Sequence, residues 1–383
     1  LSALWTAMDK GEFSPALGVP LRKFNGYLFK ERTAIPLDAE ELEVLIRAGE
    51  HVWTEVEPAI FGTLLERALN PKERAKLGAH YTPRAYVERL IGPTIMEPLR
   101  ADWTAVRAAS GQLIDEGKAD EARAFVEAFH ARLAQTKVLD PACGSGGFLC
   151  HALRHEPDCS TWGFDQDSRA VRVARVMMAA SGQPATRVQR GDSLRRPACR
   201  AASAPLIEDL MREQEPAFAG FDVILTNPPF AGDVGSEYSG CYELARGRRV
   251  ERDVLFVERC VELLRPGGRL AMILPYNKVG GASWAYLRTW LLLQVRVVAV
   301  LGLGRNTFQP HTGQKACVII GIRRPQSMPQ QLDEDILFFI SDKEGKDHRG
   351  RLSYAEDGYT VTHDLSEATP LVRHRFDNLT PGA

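Results

Sequence analysis

The chain has 383 residues, of which 44% are hydrophobic and 25% are charged. These proportions are typical of globular proteins and exclude wholesale disorder. Lys and Arg number 48 and Asp and Glu 49, so the formal net charge is −1 at pH 7. Proteins that hold a long nucleic acid by its phosphates alone are usually more basic, so any such contact must come from local patches or from outside this chain. The sequence contains no apolar run of about 18 residues, and it therefore predicts no membrane-spanning segment.

The chain begins at Leu1 without a methionine and ends at Ala383, which is typical of a piece of a longer protein. Residues 1–75 are predicted to form a helical N-terminal region. Within it, Asp38 followed by Glu41 is a capping-box signature at the start of a helix. Thr82-Pro83 is predicted to begin a further helix. Residues 101–136 are rich in Ala, Glu and Arg with helical periodicity, and they predict a helical insertion.

From residue 137 onward, short apolar runs alternate with helical stretches. This alternation predicts a mostly parallel sheet that is covered by helices on both faces. The runs are residues 138–140, 161–165, 187–192, 221–225, 269–274, 295–301 and 316–322. Only a short segment separates the last two runs, so we expect them to pair as an antiparallel hairpin. Residues 326–383 are polar, with one strand-like run at 336–340, and they are predicted to begin a further, truncated element.

The seven cysteines are odd in number and include no Cys-x-x-Cys pair. Several lie in apolar stretches, and this usage is typical of a reducing, cytoplasmic location. One group, Cys150, His151, His155 and Cys159, places metal-ligating side chains close together in the sequence. Its spacing matches no usual zinc-finger pattern. We therefore predict helix packing there and no metal site.

A glycine-rich loop at residues 140–148 (Asp-Pro-Ala-Cys-Gly-Ser-Gly-Gly-Phe) follows the first strand and leads into a helix. Glycines allow a ligand to approach the backbone, and the helix N-terminus offers free N–H groups. The loop matches neither the dinucleotide fingerprint nor the P-loop. Asp165 closes the next strand, where its carboxylate can accept the two hydroxyls of a ribose. These features favour a nucleoside without a pyrophosphate, and an ordinary tight turn is the alternative interpretation.

A second motif, Asn-Pro-Pro-Phe at residues 227–230, follows the strand predicted at 221–225. Two prolines in succession make the turn stiff and extended. At the carboxyl edge of an open α/β sheet such a turn lies where ligands bind. The Asn227 side chain and the Pro228 carbonyl can accept the two hydrogens of a planar amine while Phe230 stacks on its ring. A plain loop is the alternative.

Three motifs in this order, residues 78–83 (Gly-Ala-His-Tyr-Thr-Pro), 140–148 and 227–230, resemble those of the N6-adenine DNA methyltransferases. These enzymes include the modification subunits of type I restriction systems and the fused restriction–modification enzymes. The resemblance implies a Rossmann-like, class I methyltransferase sheet, mostly parallel with an antiparallel last strand, behind a helical N-terminal region. The methyltransferase domain is expected to span residues 76–325.

The cofactor implied by this resemblance is S-adenosylmethionine. Residues 81–83 match the motif that meets its methionine end, Asp165 matches the acid that binds the ribose, and Asp192 the residue that contacts the adenine amine. Phe256 falls near an aromatic residue that flanks the cofactor. The residues that match cofactor-binding positions are Tyr81, Thr82, Pro83, Asp140, Ala142, Gly144, Gly146, Asp165, Asp192, Ser193 and Asn227.

The reaction implied is methyl transfer to the N6 amine of adenine in DNA. The catalytic residues are expected to be Asn227, Pro228, Pro229 and Phe230. Accepting both amine hydrogens at Asn227 and Pro228 frees the nitrogen lone pair for in-line attack on the sulfonium methyl. The methylated nitrogen then becomes acidic and sheds a proton, so no metal or strong base is required. The target adenine must first be flipped out of the duplex into a pocket beside Phe230.

Double-stranded DNA is accordingly the expected partner. A cluster of arginines after the catalytic turn is predicted to contact phosphates, namely Arg246, Arg248, Arg249 and Arg252. The alternative is a solvated loop whose charge is compensated by neighbouring acids, Glu243, Glu251 and Asp253. Sequence recognition is expected to need a specificity subunit or a C-terminal recognition domain beyond residue 383. Residues 24–29 and 60–62 resemble the fused branch of the family, in which a nuclease domain precedes residue 1.

Two other functions stay open at this point. Asn-Pro-Pro followed by an aromatic residue also occurs in methyltransferases that act on the N2 atom of RNA guanine or on a glutamine of release factors. The Tyr-Thr-Pro motif at residues 81–83 and the long helical front favour DNA. A catalytically idle DNA-binding scaffold is the second alternative, and the intact motif at residues 227–230 argues against it.

Overall fold

A computed structural model describes residues 2–15, 17–21, 36–50, 92, 97–155, 159–199, 206–230, 232, 234–235, 237–238, 240–309, 312–327, 334–358 and 360–379. The predicted helix that begins at Thr82 lies outside this part. So do three of the residues expected to bind the cofactor, Tyr81, Thr82 and Pro83.

The helices and strands of the described part are numbered in chain order. They are α1 (Ser2–Lys10), β1 (Phe13–Ser14), β2 (Val19–Pro20), α2 (Ala39–Gly49), α3 (Glu97–Asp115), α4 (Ala119–Ala134), β3 (Lys137–Asp140), α5 (Gly147–His155), β4 (Ser160–Asp165), α6 (Ser168–Ala180), β5 (Val188–Arg190), α7 (Ile207–Gln214), β6 (Phe221–Thr226), α8 (Arg252–Leu263), β7 (Leu264–Pro275), α9 (Tyr276–Gly280), α10 (Ala285–Gln294), β8 (Val295–Gly302), β9 (Ala316–Arg323), β10 (Leu337–Ile340) and α11 (Leu365–Asp377).

The main sheet contains eight strands within the described residues, in the order β10-β8-β9-β7-β6-β3-β4-β5. Strand β9 runs antiparallel to both of its neighbours, β7 and β8. The other neighbouring strands are parallel. The predicted fold class, a mostly parallel sheet with one antiparallel strand, is therefore confirmed. The β8–β9 pair also confirms the predicted hairpin.

Apolar residues alternate between the two faces of the sheet because successive side chains of a strand point in opposite directions. On β7, Leu270, Met272 and Leu274 pack into one core cluster with the buried faces of α7, α8 and α10. Ala271 and Ile273 pack into the other cluster with α5, α6 and α11. The sheet is thus covered by helices on both faces, and its strand ends remain available at the edge.

Within the described residues of the N-terminal part, 2–15, 17–21 and 36–50, two helices and one short strand pair are present. Helix α2 begins at the capping box, in which the Glu41 N–H donates to Asp38 at 2.8 Å and the Asp38 N–H donates to Glu41 at 3.0 Å. Helices α3 and α4 cover most of the stretch that was predicted to be helical, and Trp103 stacks on Phe129 between them with ring centroids 5.4 Å apart. The short antiparallel pair β1–β2, which turns at Gly18 with φ +68°, was not predicted.

Residues 334–379 contribute to the same layers as the preceding elements. Strand β10 extends the main sheet by pairing in parallel with β8, and α11 packs against β8 and β10. The sequence alone predicted the beginning of a further, truncated element here, and the strand-like run at 336–340 corresponds to β10. No helix in the described part of the chain is long and apolar enough to cross a membrane.

The cysteines differ from the expectation of seven reduced thiols. Cys199 and Cys241, 42 residues apart, form a disulfide, and the other five are free and buried. Sequence spacing could not show this pair, because the loop after β5 and the loop after β6 meet only in the folded chain. Cys150 and His151 are buried within α5. Among the described residues there is no group of three or more His, Cys, Asp or Glu side chains placed to hold a metal ion.

Candidate active site

The glycine-rich loop leaves β3 at the carboxyl edge of the sheet and is tied to the neighbouring strand β6. Asp140 Oδ1 accepts hydrogen bonds from the Ala142 N–H at 3.0 Å and from Thr226 Oγ1 at 2.8 Å. Burial raises the pKa of Asp140 to about 7, these two hydrogen bonds lower it, and the nearby Asp165 raises it. Asp140 therefore fixes the start of the loop directly beside the residue that precedes Asn227.

Two glycines of this loop have backbone conformations that a side chain would disfavour. Gly144 has φ +52° and Gly146 has φ +90°. A Cβ atom on Gly146 would lie 3.2 Å from the Ala174 Cβ of α6. The loop can pass this close to α6, and then turn into α5, because both positions lack a side chain.

Asp165, at the end of β4, holds the same loop from the other side. Its Oδ2 accepts the Gly144 N–H at 2.9 Å, and its Oδ1 accepts the Asp167 N–H at 2.8 Å. Burial raises the pKa of this carboxyl. Because each carboxylate oxygen can accept about two hydrogen bonds, both oxygens retain capacity for hydroxyl donors of a ligand.

The segment after β5 forms a third side of the site. The hydroxyl of the buried Ser193 donates to the Pro141 carbonyl at 2.6 Å, and the Arg259 Nε donates to the Ser193 carbonyl at 2.8 Å. Asp192 accepts from the Leu194 N–H at 3.1 Å and from the Tyr238 hydroxyl. Sequence reasoning missed Tyr238, whose only signal was an aromatic residue shortly after the catalytic turn.

These elements surround a cleft of about 480 Å³, a volume that includes the open solvent at its mouth. Its walls combine apolar surface with one acidic side chain, Asp165, and one basic side chain, Arg252. The lining residues are Pro141, Ala142, Asp165, Gln166, Gly191, Ser193, Pro229, Arg252 and Phe256. The structure therefore places Arg252 against this cleft, whereas the sequence grouped it with the arginines expected to meet DNA.

The stiff turn at residues 227–230 begins directly after β6 and borders the cleft through Pro229. The Asn227 side-chain oxygen and Pro228 are buried, and Phe230 is half-buried. The Phe230 ring meets the buried Phe308 edge to face, with centroids 6.0 Å apart. Phe308 follows β8, and nothing in the sequence pointed to its place beside the turn.

The other three arginines of the predicted DNA contact are exposed on the loop between the turn and α8, namely Arg246, Arg248 and Arg249. The Arg248 guanidinium lies over the Tyr286 ring, 4.1 Å from its centroid. The acids that neighbour these arginines in the sequence have other partners. Glu243 accepts from the Trp290 Nε1 at 3.0 Å, and Glu251 pairs with Lys278. In the alternative interpretation these acids compensate the charge of the arginines, but Glu243 and Glu251 contact Trp290 and Lys278 instead.

The profile of the N-6 DNA Methylase family matches residues 123–357, which is more than half of the chain. The chain belongs to the N-6 DNA methylase family. The match begins within α4 and includes the glycine-rich loop, the turn at residues 227–230 and strand β10.

Two curated relatives are similar in sequence. DNA methyltransferase A of Bacillus subtilis is 28% identical over 151 residues, which are 38% of this chain and 16% of that protein. The methylase subunit of the type I restriction enzyme EcoEI of Escherichia coli is 24% identical over 197 residues, 48% of this chain and 37% of that subunit. The chain thus spans less than two fifths of the length of either relative.

The fold is also similar to that of a Listeria monocytogenes protein described as a class I S-adenosylmethionine-dependent methyltransferase. The TM-score is 0.53 at 16% identity, over 91% of this chain and 88% of that chain. At this identity the likeness concerns the fold alone. The class I methyltransferase fold expected from the motifs is confirmed.

S-adenosylmethionine is the cofactor of this family, and the residues of the cleft fit it. Asp165 offers acceptors for two ribose hydroxyls, and Ala142, Pro229 and Phe256 offer apolar surface for a base and an alkyl chain. The missing side chain at Gly146 lets the loop backbone lie close to α6.

Proposed function

We propose that this chain transfers a methyl group from S-adenosylmethionine to the N6 amine of adenine in DNA, as part of a restriction–modification or phage-defence system. The observation that carries the proposal is the position of Pro229, which belongs both to the catalytic turn and to the wall of the cleft. An amine held by Asn227 at this turn would lie next to a cofactor held in the cleft. Membership of the N-6 DNA methylase family supports the same reaction.

The chemistry required of the protein is modest. When bound, S-adenosylmethionine supplies a methyl group on a positively charged sulfur. The N6 lone pair of adenine is delocalised into the ring, so the amine is a poor nucleophile. We assign to Asn227 Oδ1 and the Pro228 carbonyl the acceptance of the two amine hydrogens, which localises the lone pair on nitrogen. The two prolines keep these acceptors in place with little reorganisation.

Phe230 is assigned to hold the flipped adenine by stacking. Flipping costs a few kcal/mol of stacking and pairing, which contacts in the pocket must offset. The edge-to-face contact with Phe308 fixes the orientation of the Phe230 ring before the base arrives. Phe308 therefore acts through Phe230.

For cofactor binding we assign the ribose to Asp165 and the adenine amine to Asp192, with Ser193 fixing the segment through Pro141. Asp140, Ala142, Gly144 and Gly146 shape the loop against the methionyl part. Tyr81, Thr82 and Pro83 remain candidates for the methionine end on the strength of their motif.

For DNA we assign phosphate contacts to the exposed arginines of the loop, Arg246, Arg248 and Arg249, and we move Arg252 to the cofactor cleft. The type I methylase subunit among the relatives supports a specificity subunit as partner. A recognition domain outside residues 1–383 would serve the same purpose. A nuclease domain preceding residue 1 stays a prediction. A cytoplasmic location stays a prediction, because five cysteines are free whereas Cys199 and Cys241 form a disulfide.

The test compares the wild-type chain with Asn227→Ala by transfer of tritiated methyl groups to duplex DNA. We expect transfer to be abolished in the variant while the dissociation constant for S-adenosylmethionine, measured by calorimetry, stays nearly unchanged. The loss should appear in kcat because the interaction with the amine is strongest in the transition state.

Asn277→Ala is the matched control, since Asn277 is an exposed amide on the neighbouring α9. It should transfer methyl groups as the wild type does. An Asn227→Ala variant of wild-type activity would contradict the catalytic assignment. Preferential labelling of RNA or of a release factor by the wild-type chain would contradict the DNA substrate.

A further inference from the structure

Lys278 is a buried lysine that lies close to the cleft without lining it. It is on α9, directly after β7, and its side chain is 1% exposed. Its ammonium pairs with Glu251 and with Asp253, whose Oδ2 lies 3.5 Å away. The same nitrogen lies over the Trp284 ring, 3.6 Å from the centroid. One cation thus joins the segment after β7 to the start of α8.

The carboxylate of Asp253 depends on this cation. Asp253 is 0% exposed, in the first turn of α8. Burial raises its pKa to about 6, Lys278 lowers it, and Glu251 raises it. A buried carboxylate that loses its paired cation is strongly destabilising, because neither water nor another charge replaces the lost interaction.

Other charged groups approach this pair from the surrounding elements. Glu251, at the N-cap of α8, pairs with Lys278 and is 42% exposed on its side chain. Burial raises the pKa of the Tyr286 phenol on α10, Arg248 over its ring lowers it, and Asp253 and Glu251 raise it. Arg248 is exposed on its loop and already occupied by this ring, so it is poorly placed to replace a buried ammonium.

The residues on either side of Asp253 connect the pair to the cleft. Arg252 precedes Asp253 in the same helical turn, and Phe256 lies one turn further along the same face as Arg252. Both line the cleft. Any rearrangement that exposes Asp253 to water therefore moves Arg252 and Phe256, and with them the wall of the cleft.

We propose that Lys278 is a positioning residue for the cofactor cleft: by neutralising Asp253 it holds the first turns of α8, and with them Arg252 and Phe256, in the arrangement that binds S-adenosylmethionine. This inference rests on the proposed function. It adds a residue that touches neither the cofactor nor the target base, and whose effect depends on the charge of a second residue.

The experiment measures S-adenosylmethionine binding by calorimetry on the full chain at two pH values, about 8 and about 5.5, on either side of the Asp253 pKa. Lys278→Met keeps most of the side-chain volume and removes the charge. We expect this variant to bind S-adenosylmethionine about tenfold or more weakly than the wild type at the higher pH. A tenfold loss corresponds to about 1.4 kcal/mol of binding free energy. In the variant the pKa of Asp253 rises further, so at the lower pH the carboxyl is neutral and the defect shrinks.

The double variant Lys278→Met/Asp253→Asn removes both charges and should regain nearly wild-type affinity at both pH values. If the single variant does not fold, the cofactor affinity of the double variant still tests the inference. Lys315→Met is the matched control, because this lysine lies over the Tyr276 ring, 4.9 Å from its centroid, at the same edge of the sheet. Its affinity for the cofactor should equal that of the wild type.

Equal binding by the wild type and Lys278→Met at the higher pH would overturn the inference. A loss of binding that is independent of pH and is not recovered in the double variant would also overturn it, because it would reflect packing of the lysine stem alone. Failure of the wild-type chain to bind S-adenosylmethionine would instead overturn the proposed function on which the inference rests.

Discussion

Two carboxylates, the buried Asp140 and the half-buried Asp165, lie in the same loop region but use their oxygens differently. Asp140 Oδ1 accepts from a backbone amide and from Thr226, and Asp140 is 2% exposed. Asp165 accepts one backbone amide on each oxygen and also lines the cleft. Asp140 therefore fixes the loop, whereas Asp165 both fixes it and faces the ligand.

At the residue scale, we expect Asp165→Asn to weaken S-adenosylmethionine binding by about 1–3 kcal/mol, the range for losing a charged hydrogen-bond acceptor. The amide keeps one acceptor for the loop and loses the negative charge toward the ribose hydroxyls. Calorimetry on the variant measures the effect.

The control for this prediction is Asp167→Ala, two residues further along the chain. Asp167 caps α6 by accepting the Arg169 N–H at 3.0 Å. Its removal should cost about 1 kcal/mol of stability, as for other N-caps, with little change in cofactor affinity. An Asp165→Asn variant with an unchanged dissociation constant would show that the ribose binds elsewhere.

At the scale of elements, the loop between β3 and α5 depends on two adjacent glycines in different ways. Gly146 has φ +90° and no space toward Ala174, whereas an added Cβ on Gly147 would meet no atom within 4 Å. Gly147 is also the first residue of α5 and has no positive φ. Comparing the two positions therefore distinguishes a glycine that the backbone conformation requires from one that it does not require.

We expect Gly146→Ala to lower the free energy of unfolding by about 1–3 kcal/mol through backbone strain. It should also weaken cofactor binding, because the loop must shift away from α6. Gly147→Ala should leave binding unchanged and raise stability by about 0.5–1 kcal/mol, since alanine favours a helix over glycine. Chemical denaturation and calorimetry of both variants test this, and similar behaviour of the two would refute the assignment.

Another pair of elements is joined more firmly than the sequence indicated. The segments after β5 and after β6 are connected by the Cys199–Cys241 disulfide and by the Tyr242 hydroxyl, which donates to the Leu194 carbonyl. Arg196 also lies over the Tyr242 ring, 4.5 Å from its centroid. These contacts hold the loop that carries the exposed arginines against the side of the site formed by Asp192.

At the scale of the whole molecule, the strands of the parallel sheet bring their carboxyl ends to one edge. The glycine-rich loop, Asp165, the turn at residues 227–230 and Lys278 all follow strands at this edge. The exposed arginines border it, although the chain as a whole has a net charge of −1. Any attraction to DNA must therefore be local.

We expect this chain by itself to bind duplex DNA weakly, without sequence preference, and with an affinity that falls steeply as salt rises. Replacing both Arg246 and Arg248 by Gln should reduce the slope of log affinity against log salt by about 1 for each phosphate that the side chains no longer neutralise. Titration of labelled duplexes at low and moderate salt measures this slope.

Arg107 and Arg123 provide the control, because both are exposed on α3 and α4, away from the carboxyl edge. Their replacement by Gln changes the net charge equally and should leave the slope unchanged. Tight, salt-insensitive and sequence-selective binding by the chain alone would contradict the expectation that recognition needs a further domain or subunit.

The features that the sequence alone could establish depend on interactions between residues that are close together in the chain. The capping box at Asp38, the alternation of apolar runs with helical stretches and the stiffness of the turn at residues 227–230 all depend on neighbours within a few residues. They were sufficient for the fold class and the order of the motifs. Asp165 was also within reach, because the end of a parallel strand fixes which edge of the sheet its residue joins.

Contacts between distant segments were decided only by the tertiary structure. Phe308 reaches Phe230, Lys278 pairs with Asp253, and Arg252 turns to the cleft and away from the other arginines. Which side chains meet at the edge depends on how the strands are ordered in the sheet and how each helix is rotated about its axis. The hydrophobic pattern specifies the buried face of an element, but it does not specify which polar residue on a neighbouring element will lie opposite.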